Sequence, residues 1–372
     1  MSFRPAATVG MPLAEVDTPC LILDLDAFER NVRRLPESLA GRDIRLRPHA
    51  KSHKSPDIAR RQLAAGAVGI CCQKVSEAAA MVDGGITDVL IANEVVGAPK
   101  LKALAALAAR ATIKVCADDA GNVQALDAAA RAAGVTLDVL VEVDVGARRC
   151  GIAPGAPAAA LATLIAGARN LRFAGLQAYQ GSAQHIRGVA ERRDAIARAV
   201  DDVRATLRAL ADAGIACDYV TGAGTGSYFF EATSGVYHEL QAGSYVFMDA
   251  DYARNEWTES GMPVFEHSLF VWTTVMSAAA AGRAVCDAGL KASSVDSGLP
   301  RVADRAGVEY VKASDEHGVL QVDPGAQLVV GDKLRLIPGH CDPTVNLYDW
   351  YVCVRGGVVE ALWPITARGA VL

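Results

Sequence analysis

Lysine and histidine alternate in the segment Arg47-Pro48-His49-Ala50-Lys51-Ser52-His53-Lys54. If this segment is extended, side chains two residues apart share a face, so His49, Lys51 and His53 point the same way. A lysine flanked by imidazoles has a route to a lowered pKa, which an amine needs to form a Schiff base with a carbonyl cofactor. Most lysines of the chain are better explained as solvated surface charges. For Lys51 the setting favours a covalent role, and Lys54 is expected to face the other way.

Two clusters rich in glycine and hydroxyl groups could bind an anion: Thr221-Gly222-Ala223-Gly224-Thr225-Gly226-Ser227 and Gln241-Ala242-Gly243-Ser244-Tyr245. Glycines allow backbone N–H groups to converge on a phosphate, and the Thr and Ser hydroxyls add donors. Glycine-rich loops are often only turns, so neither cluster is decisive alone. Combined with Lys51, a phosphate cradle indicates pyridoxal phosphate.

A third feature is the segment Gly339-His340-Cys341-Asp342-Pro343-Thr344. In a strand, residues i and i+2 point the same way, so His340 and Asp342 could bind one metal ion. Pro343 favours an extended Asp342. A hydrogen-bonded pair without metal is the usual alternative for such a spacing. Cys341 is expected to face away, although a thiolate would compete for zinc.

The elements that position these groups alternate between short β-like and Ala-rich helical runs from about Val16 to Tyr245. Alternation of this kind predicts a parallel sheet with helices outside, and eight strands close a (β/α)₈ barrel of TIM type. An open doubly wound sheet is disfavoured because no GxGxxG turn follows the first candidate strand. Active sites of such barrels lie at the carboxyl ends of the strands, where the polar clusters above fall. The strand candidates are Cys20–Leu25, Ile44–Ala50, Gly69–Gln73, Asp88–Asn93, Thr112–Ala117, Leu137–Asp144, Phe173–Tyr179 and Asp218–Gly222.

After about Asp251 the chain becomes β-rich with short turns, which predicts a mostly antiparallel β domain. In this domain Arg355-Gly356-Gly357 has the composition of a hairpin turn. We therefore predict an α/β protein with a barrel over residues 16–250 and a β domain over residues 251–372 that carries the metal pair. The N-terminal arm, residues 1–15, either joins that β domain or is disordered.

Composition limits the function classes. The 372 residues suffice for two domains, half of them are apolar, and the net charge of -5 argues against a nucleic-acid partner. Nine cysteines without CxxC spacing suggest buried thiols in a reducing cytoplasm. No leader sequence and no apolar run of membrane-spanning length is present, so a soluble, cytoplasmic protein without membrane contact is expected.

Several runs along nearly the whole chain resemble the D-threonine aldolase family, which belongs to the alanine-racemase-like, fold-type III group of pyridoxal-phosphate enzymes. Near relatives of that family are D-3-hydroxyaspartate aldolases and D-serine dehydratases. The runs that carry the resemblance are Asp17-Thr18-Pro19, Arg47–Lys51, Cys71–Glu77, Glu142–Gly146, Leu176–Tyr179, Leu240–Asp249, Asp315–Gly318 and His340–Thr344.

The resemblance implies roles for individual residues. Lys51 matches the Schiff-base lysine, His185 the general base, and His340 with Asp342 the metal pair, in the His-x-Asp form of the aldolases rather than the His-x-Cys form of the dehydratases. Gln180 departs from the family's pattern, where another polar residue, often His, is expected. The cofactor-binding set that the resemblance implies is Lys51, Arg149, Tyr179, Gly224, Thr225, Gly226, Gly243, Ser244 and Tyr245.

The implied reaction is retro-aldol cleavage of a D-3-hydroxy-amino acid, such as D-threonine, to glycine and an aldehyde. It would need pyridoxal phosphate and a divalent metal (Mn, Mg, Co or Zn, with Mn or Mg favoured). Cleavage of 3-hydroxyaspartate and β-elimination of D-serine or 3-hydroxyaspartate are the alternatives. A racemase would leave the metal pair unused, and a non-catalytic cofactor carrier would lack the β domain. Relatives imply a homodimer in which Asp315 or His317 reaches the partner's site.

Overall fold

Two β-sheets dominate the computed structural model, which describes residues 5–257 and 264–372. The strands are β1 (Cys20–Asp24), β2 (Arg45–Leu46), β3 (Ile70–Cys72), β4 (Asp88–Glu94), β5 (Thr112–Ala117), β6 (Leu137–Glu142), β7 (Leu171–Ala178), β8 (Val220–Gly222), β9 (Glu239–Leu240), β10 (Leu269–Ala280), β11 (Arg283–Cys286), β12 (Arg301–Val302), β13 (Val308–Ala313), β14 (Gly318–Val322), β15 (Lys333–Ile337), β16 (Trp350–Arg355) and β17 (Val358–Pro364). The helices are α1 (Leu25–Ser38), α2 (Pro56–Ala64), α3 (Val75–Asp83), α4 (Ala98–Ala108), α5 (Ala120–Ala133), α6 (Ala156–Gly167), α7 (Val189–Asp212), α8 (Tyr228–Thr233) and α9 (Cys341–Val345).

The first sheet is parallel and has the order β2-β9-β8-β7-β6-β5-β4-β3. Its two ends meet, because the N–H of Cys71 donates to the carbonyl of Pro48 (2.9 Å) and the N–H of Val68 to that of Leu46 (2.8 Å). The sheet therefore closes into a barrel, and the predicted fold class is confirmed. The doubly wound alternative is excluded.

Local sequence explains the units of this barrel. Every residue of β6 is buried, including Asp138 and Glu142, as expected of a barrel strand that is covered on both faces. In α5, the side chain of Asp119 caps the amino end by accepting from the N–H of Asn122, and Gly134 ends the helix in the left-handed conformation. Such caps define the first and last residues of a helix, and so the point at which the chain turns toward the next strand.

One predicted barrel strand is wrong. The Cys20–Leu25 run forms β1, but β1 pairs antiparallel with β10 and parallel with β16, in the second sheet. The apolar composition of β1 suits a central strand of either sheet, and helix α1 follows β1 as in a βα unit. The sequence pattern therefore could not show with which strands β1 pairs. The eighth barrel strand is β9, which has two residues and includes the buried Glu239, so no apolar run announced it.

The second sheet has nine strands and is mostly antiparallel, as predicted for the second half of the chain. The hairpin between β16 and β17 turns at Gly356 and Gly357, whose φ values of 56° and 78° are those that the prediction requires. In the N-terminal arm, the N–H of Gly10 donates to Val359 and the N–H of Leu13 to Gly357, so residues 10–13 lie along this sheet. Residues 1–4 of the arm lie outside the described residues, and the two domain boundaries stay a prediction.

All nine cysteines are free thiols; Cys150 and Cys217 are half-buried and the others buried. Among the helices of the described ranges, none combines the length and the apolar character that crossing a membrane requires.

Candidate active site at the carboxyl ends of the barrel strands

A cavity of about 120 Å³ opens where the loops after the barrel strands meet α9. It brings together most of the predicted site residues. Lining it are His49, Lys51, Ser52, Gln73, Arg149, Tyr179, His185, Gly224, Thr225, Gly243, Ser244, Tyr252, His340 and Asp342, among others. Gly226 and Tyr245 do not line it.

Lys51 lies in a single 3-10 turn, Ala50–Ser52, and not in an extended segment as predicted. The turn starts at His49, whose Nδ1 accepts from the N–H of Lys51 (3.4 Å) and whose Nε2 lies 3.2 Å from Gln73 Oε1. His53 consequently points into the protein, where its Nδ1 accepts from the N–H of Ser55. Only His49 and Lys51 of the expected row face the cavity.

The electrostatic setting of Lys51 also differs from the prediction. Burial lowers the pKa of both His49 and His53 to about 3, so both imidazoles are neutral and supply no charge that would lower the pKa of an amine. Desolvation lowers the pKa of Lys51, but the carboxylate of Asp342, whose Oδ2 is 3.5 Å from Nζ, outweighs it and raises that pKa. Asp342 therefore holds the amine as an ammonium.

Lys54 faces away from the cavity, as predicted. Its Nζ donates to Glu77 Oε1 (3.2 Å) and to the carbonyl of Ala367 (3.5 Å). Glu77 is buried and also accepts from the N–H of Gln73 (2.6 Å). Lys54 therefore neutralises a buried carboxylate beneath the loop that carries Gln73.

The glycine-rich loops fit a phosphate group. The hydroxyls of Ser52 and Thr225 are buried at the cavity and have no hydrogen-bond partner among the described residues. A Cβ added to Gly243 would lie 2.6 Å from Ser52 Oγ and 2.9 Å from the carbonyl of His49, so only glycine lets this loop approach the lysine turn. Two unpaired hydroxyls beside close-packed backbone are what an anion would satisfy.

Gly226 and Tyr245 take different roles from those predicted. The N–H of Gly226 donates to Gln184 Oε1 (2.9 Å) and is not directed at the cavity. The hydroxyl of Tyr245 accepts from Gln62 (3.3 Å), and its ring packs edge-on against Phe265. Both residues support the loops from behind.

Arg149 and Tyr179 line the same wall of the cavity. The Arg149 guanidinium carbon lies 5.6 Å from the centre of the Tyr179 ring, and Nη2 lies 3.7 Å from Glu142 Oε1. A cation stacked on a phenol ring at this position can contact a planar anionic ligand.

His185 is held by a carboxylate that sequence reasoning missed. Its Nδ1 lies 2.6 Å from Asp251 Oδ2, and its ring stacks on Tyr252. Burial alone would raise the pKa of Asp251, but hydrogen bonds from Arg187, His185 and Arg254 lower it. Because an ionised carboxylate only accepts, Nδ1 carries a proton, and Nε2 is the ring nitrogen that this pair leaves free.

His340 and Asp342 line the cavity together, but they lie in a helical turn and not in the predicted strand. His340 precedes α9 and Asp342 falls in its first turn, where Pro343 is tolerated because that N–H needs no helical partner. His340 Nδ1 lies 2.8 Å from Asp296 Oδ2. The charges of Lys51 and His340 lower the pKa of Asp342 to about 2, against the effect of burial.

These two side chains fit a divalent cation. An imidazole oriented through Nδ1 by a carboxylate, beside an ionised aspartate, is a common arrangement of metal ligands. Cys341 is buried, does not line the cavity, and donates through Sγ to Asp342 Oδ1 (3.3 Å). Across residues 5–257 and 264–372, no group of three or more His, Cys, Asp or Glu side chains is arranged to hold a metal, so this site offers two protein ligands.

Gln180 has a supporting position and does not line the cavity. Its Nε2 donates to the carbonyl of Val145 (3.2 Å), and its Oε1 accepts from Ser182 Oγ (2.8 Å). It thereby ties the loop after β6, which carries Arg149, to the turn that carries His185.

Little in the sequence pointed to Asp251 and Asp296. Asp251 lies two residues beyond the Leu240–Asp249 run, and Asp296 lies in a loop, residues 294–298, that has no periodic pattern. Each histidine meets its carboxylate only in the folded chain, because the two residues are far apart in sequence. A motif search along the sequence therefore could not identify either pair.

A closed parallel barrel with a lysine, two hydroxyl-rich glycine loops and a second β-sheet defines an alanine-racemase-like protein. Residues 23–251 match the family described as alanine racemase, N-terminal domain, and residues 268–354 match the putative serine dehydratase domain. The chain belongs to the D-threonine aldolase family within this group, and it is an enzyme of the carbon–carbon lyase class.

Three similar proteins support this assignment. D-threonine aldolase of Arthrobacter sp is 52% identical over 99% of this chain and 97% of its own length. 3-Hydroxy-D-aspartate aldolase of Paracoccus denitrificans is 50% identical over 98% and 95%. The crystal structure of D-threonine aldolase from Filomicrobium marinum superposes with a TM-score of 0.97 at 54% identity, covering 99% of this chain and 100% of that one.

Proposed function

We propose that this enzyme cleaves D-3-hydroxy-amino acids to glycine and an aldehyde, using pyridoxal phosphate and a divalent metal. The observation that carries the proposal is that Lys51, His185 and the pair His340–Asp342 line one cavity. The names of the two curated relatives support an aldolase and leave open whether the preferred substrate is D-threonine-like or 3-hydroxy-D-aspartate.

Each group would have a distinct task. Lys51 would attach the cofactor, Ser52, Thr225 and the Gly243 loop would hold its phosphate, and bound pyridoxal phosphate supplies an acceptor for the electron pair of the breaking Cα–Cβ bond. His340 and Asp342 would hold a divalent metal, which supplies a Lewis acid that lowers the pKa of the substrate's β-hydroxyl.

His185 would take the proton of that hydroxyl. In the neutral ring Asp251 would fix the Nδ1–H tautomer, so that Nε2 would be the acceptor that a general base needs. The alternative, β-elimination by a dehydratase, requires a proton donor at the same hydroxyl, because the hydroxyl must leave as water. A His185 ring that is neutral when the substrate binds would serve cleavage, and a protonated ring would serve elimination; the names of the two aldolase relatives favour cleavage.

The test is a product assay on protein loaded with pyridoxal phosphate and Mn²⁺. We expect glycine and the corresponding aldehyde from D-threonine, D-phenylserine or D-3-hydroxyaspartate, no product from the L-forms, and no turnover after chelation. Release of ammonia and a 2-oxo acid instead of glycine would assign the chain to the dehydratases. The three D-amino acids used side by side also identify the preferred 3-hydroxy side chain.

We also propose that the enzyme is a homodimer in which Asp315 or His317 reaches the partner's cavity. Both side chains are exposed in the turn between β13 and β14, where a partner subunit could contact them. Sedimentation at assay concentration should give twice the mass of the 38.9 kDa chain. A fully active monomer would contradict this arrangement.

A further inference from the structure

Two histidines that line the candidate site, His185 and His340, are each paired with a carboxylate. His185 and Asp251 form one pair, 2.6 Å apart, and His340 and Asp296 form the other, 2.8 Å apart. In the function proposed above, one imidazole acts on the hydroxyl of the substrate as a base and the other holds the metal that binds it. Both must therefore keep one relative geometry, and a misplacement of about 1 Å can cost a hundredfold in rate.

One arginine connects the two pairs. Arg254 Nη2 donates to Asp251 Oδ1 and also to the backbone carbonyl of Ser297 (2.9 Å). Ser297 Oγ in turn donates to Asp296 Oδ2 (3.1 Å) and lies 3.5 Å from His340 Nδ1. A continuous chain of polar contacts thus runs from His185 to His340.

We propose that Arg254 is a positioning residue that fixes His185 and His340 relative to each other. This inference rests on the proposed function, because it assigns Arg254 a task for the base and the metal ligand of that reaction. The two segments that carry Asp251 and His340 are joined without the Arg254 side chain. The N–H of Asp251 donates to the carbonyl of Gly339 (3.2 Å), and the N–H of Cys341 donates to Asp249 Oδ2 (3.0 Å). The task of the Arg254 side chain is therefore to orient Asp251 and the 294–298 loop, not to join the two segments of the fold.

Arg187 provides a matched control on the same carboxylate. Its Nη2 donates to Asp251 Oδ1 (2.5 Å), but its other donor binds the carbonyl of Asp251 and Asn255 Oδ1, both at 2.7 Å. None of these contacts reaches the 294–298 loop. Replacing Arg187 disturbs Asp251 alone, whereas replacing Arg254 disturbs both pairs. The Arg254 side chain is 54% exposed, so a glutamine there leaves no buried cavity.

The first measurement is calorimetric titration of Mn²⁺ into the cofactor-loaded protein. We expect Asp296→Asn to weaken Mn²⁺ binding by about 10–100-fold, as loss of a ligand's carboxylate partner does, and Arg254→Gln by about tenfold because it acts through the loop. Arg187→Gln should stay within about twofold of the unchanged enzyme. Arg254→Lys, which can keep one of the two hydrogen bonds, should fall between.

The second measurement needs neither metal nor turnover. Long-range ¹H–¹⁵N spectra of the seven histidine rings report which ring nitrogen carries the proton. Arg254→Gln should shift the signals of both His185 and His340, and Arg187→Gln only that of His185. If Arg254→Gln leaves Mn²⁺ affinity and the His340 signal unchanged, the proposal is overturned. If the unchanged protein binds no Mn²⁺, the proposed function fails, and the histidine spectra still decide the role of Arg254.

Discussion

Replacing Lys51 by alanine is expected to abolish the visible absorbance of bound pyridoxal phosphate and to lower turnover by at least about a thousandfold, as loss of a covalent catalytic group does. Among the lysines of the described chain, Lys51 lines the cavity and lies beside the unpaired hydroxyls of Ser52 and Thr225. Borohydride reduction of the loaded enzyme followed by peptide mapping tests the assignment directly. A label on any other lysine would show that the cofactor lies elsewhere.

The matched control is Lys54→Ala, for which the structure predicts a different defect. The absorbance should remain, because Lys54 points away from the cavity toward Glu77. Stability should fall by about 3–5 kcal/mol, since a buried carboxylate loses its cation. Adding Glu77→Gln to this variant should restore part of the loss while the N–H of Gln73 keeps an acceptor. The cofactor absorbance separates the two lysines, because Lys51→Ala loses it and Lys54→Ala keeps it, and thermal unfolding then measures the loss of the Lys54–Glu77 pair.

The barrel could be predicted because its strands and helices repeat a pattern that local burial imposes. Strands such as β6 are buried along their whole length and mostly apolar, and each helix is amphipathic or Ala-rich. The assignment failed at β1 and β9 for one reason. Which strand pairs with which is decided by contacts far apart in sequence, as between Leu21 and Val271, and no local pattern encodes that partner.

The candidate site was predictable to the extent that residues at strand ends converge. Lys51, Tyr179 and Thr225 follow different strands, and the closed barrel brings them to one cavity. Backbone conformation within each loop was not predictable. The extended geometry expected for the Lys51 and Asp342 segments is replaced by a 3-10 turn and a short helix, in which the same side chains still reach the cavity.

Partners of the histidines were the largest omission. Asp251 and Asp296 lie 66 and 44 residues from His185 and His340, so no spacing motif could pair them. The expected source of a lowered lysine pKa was also wrong, because burial neutralises His49 and His53 and Asp342 then dominates the charge around Lys51. Whether a pKa is raised or lowered depends on how deeply the group and its neighbours are buried, and burial could not be predicted for these residues from the sequence.

Chelation of divalent metal is expected to stop turnover while it leaves the melting temperature and the cofactor absorbance nearly unchanged. Structural metal sites normally close with four protein ligands, and within residues 5–257 and 264–372 no group of three or more such side chains is arranged around His340 and Asp342. The remaining coordination positions would be available for water and the substrate's hydroxyl, which is what Lewis-acid chemistry requires. Added Mn²⁺ should restore activity, and a large fall in melting temperature on chelation would indicate a structural ion.

Asp342→Ala should reproduce the effect of chelation without rescue by Mn²⁺, whereas Cys341→Ser should keep most activity. Cys341 is the buried first residue of α9, and a serine hydroxyl can still donate to Asp342 as its thiol does. Calorimetric Mn²⁺ titration and the product assay, run on both variants, distinguish the two side chains. The contrary pattern, in which Cys341→Ser loses metal and activity and Asp342→Ala keeps both, would make the ligands His340 and Cys341. Because thiolate ligation is the form typical of the dehydratases, that result would move the enzyme to the elimination branch.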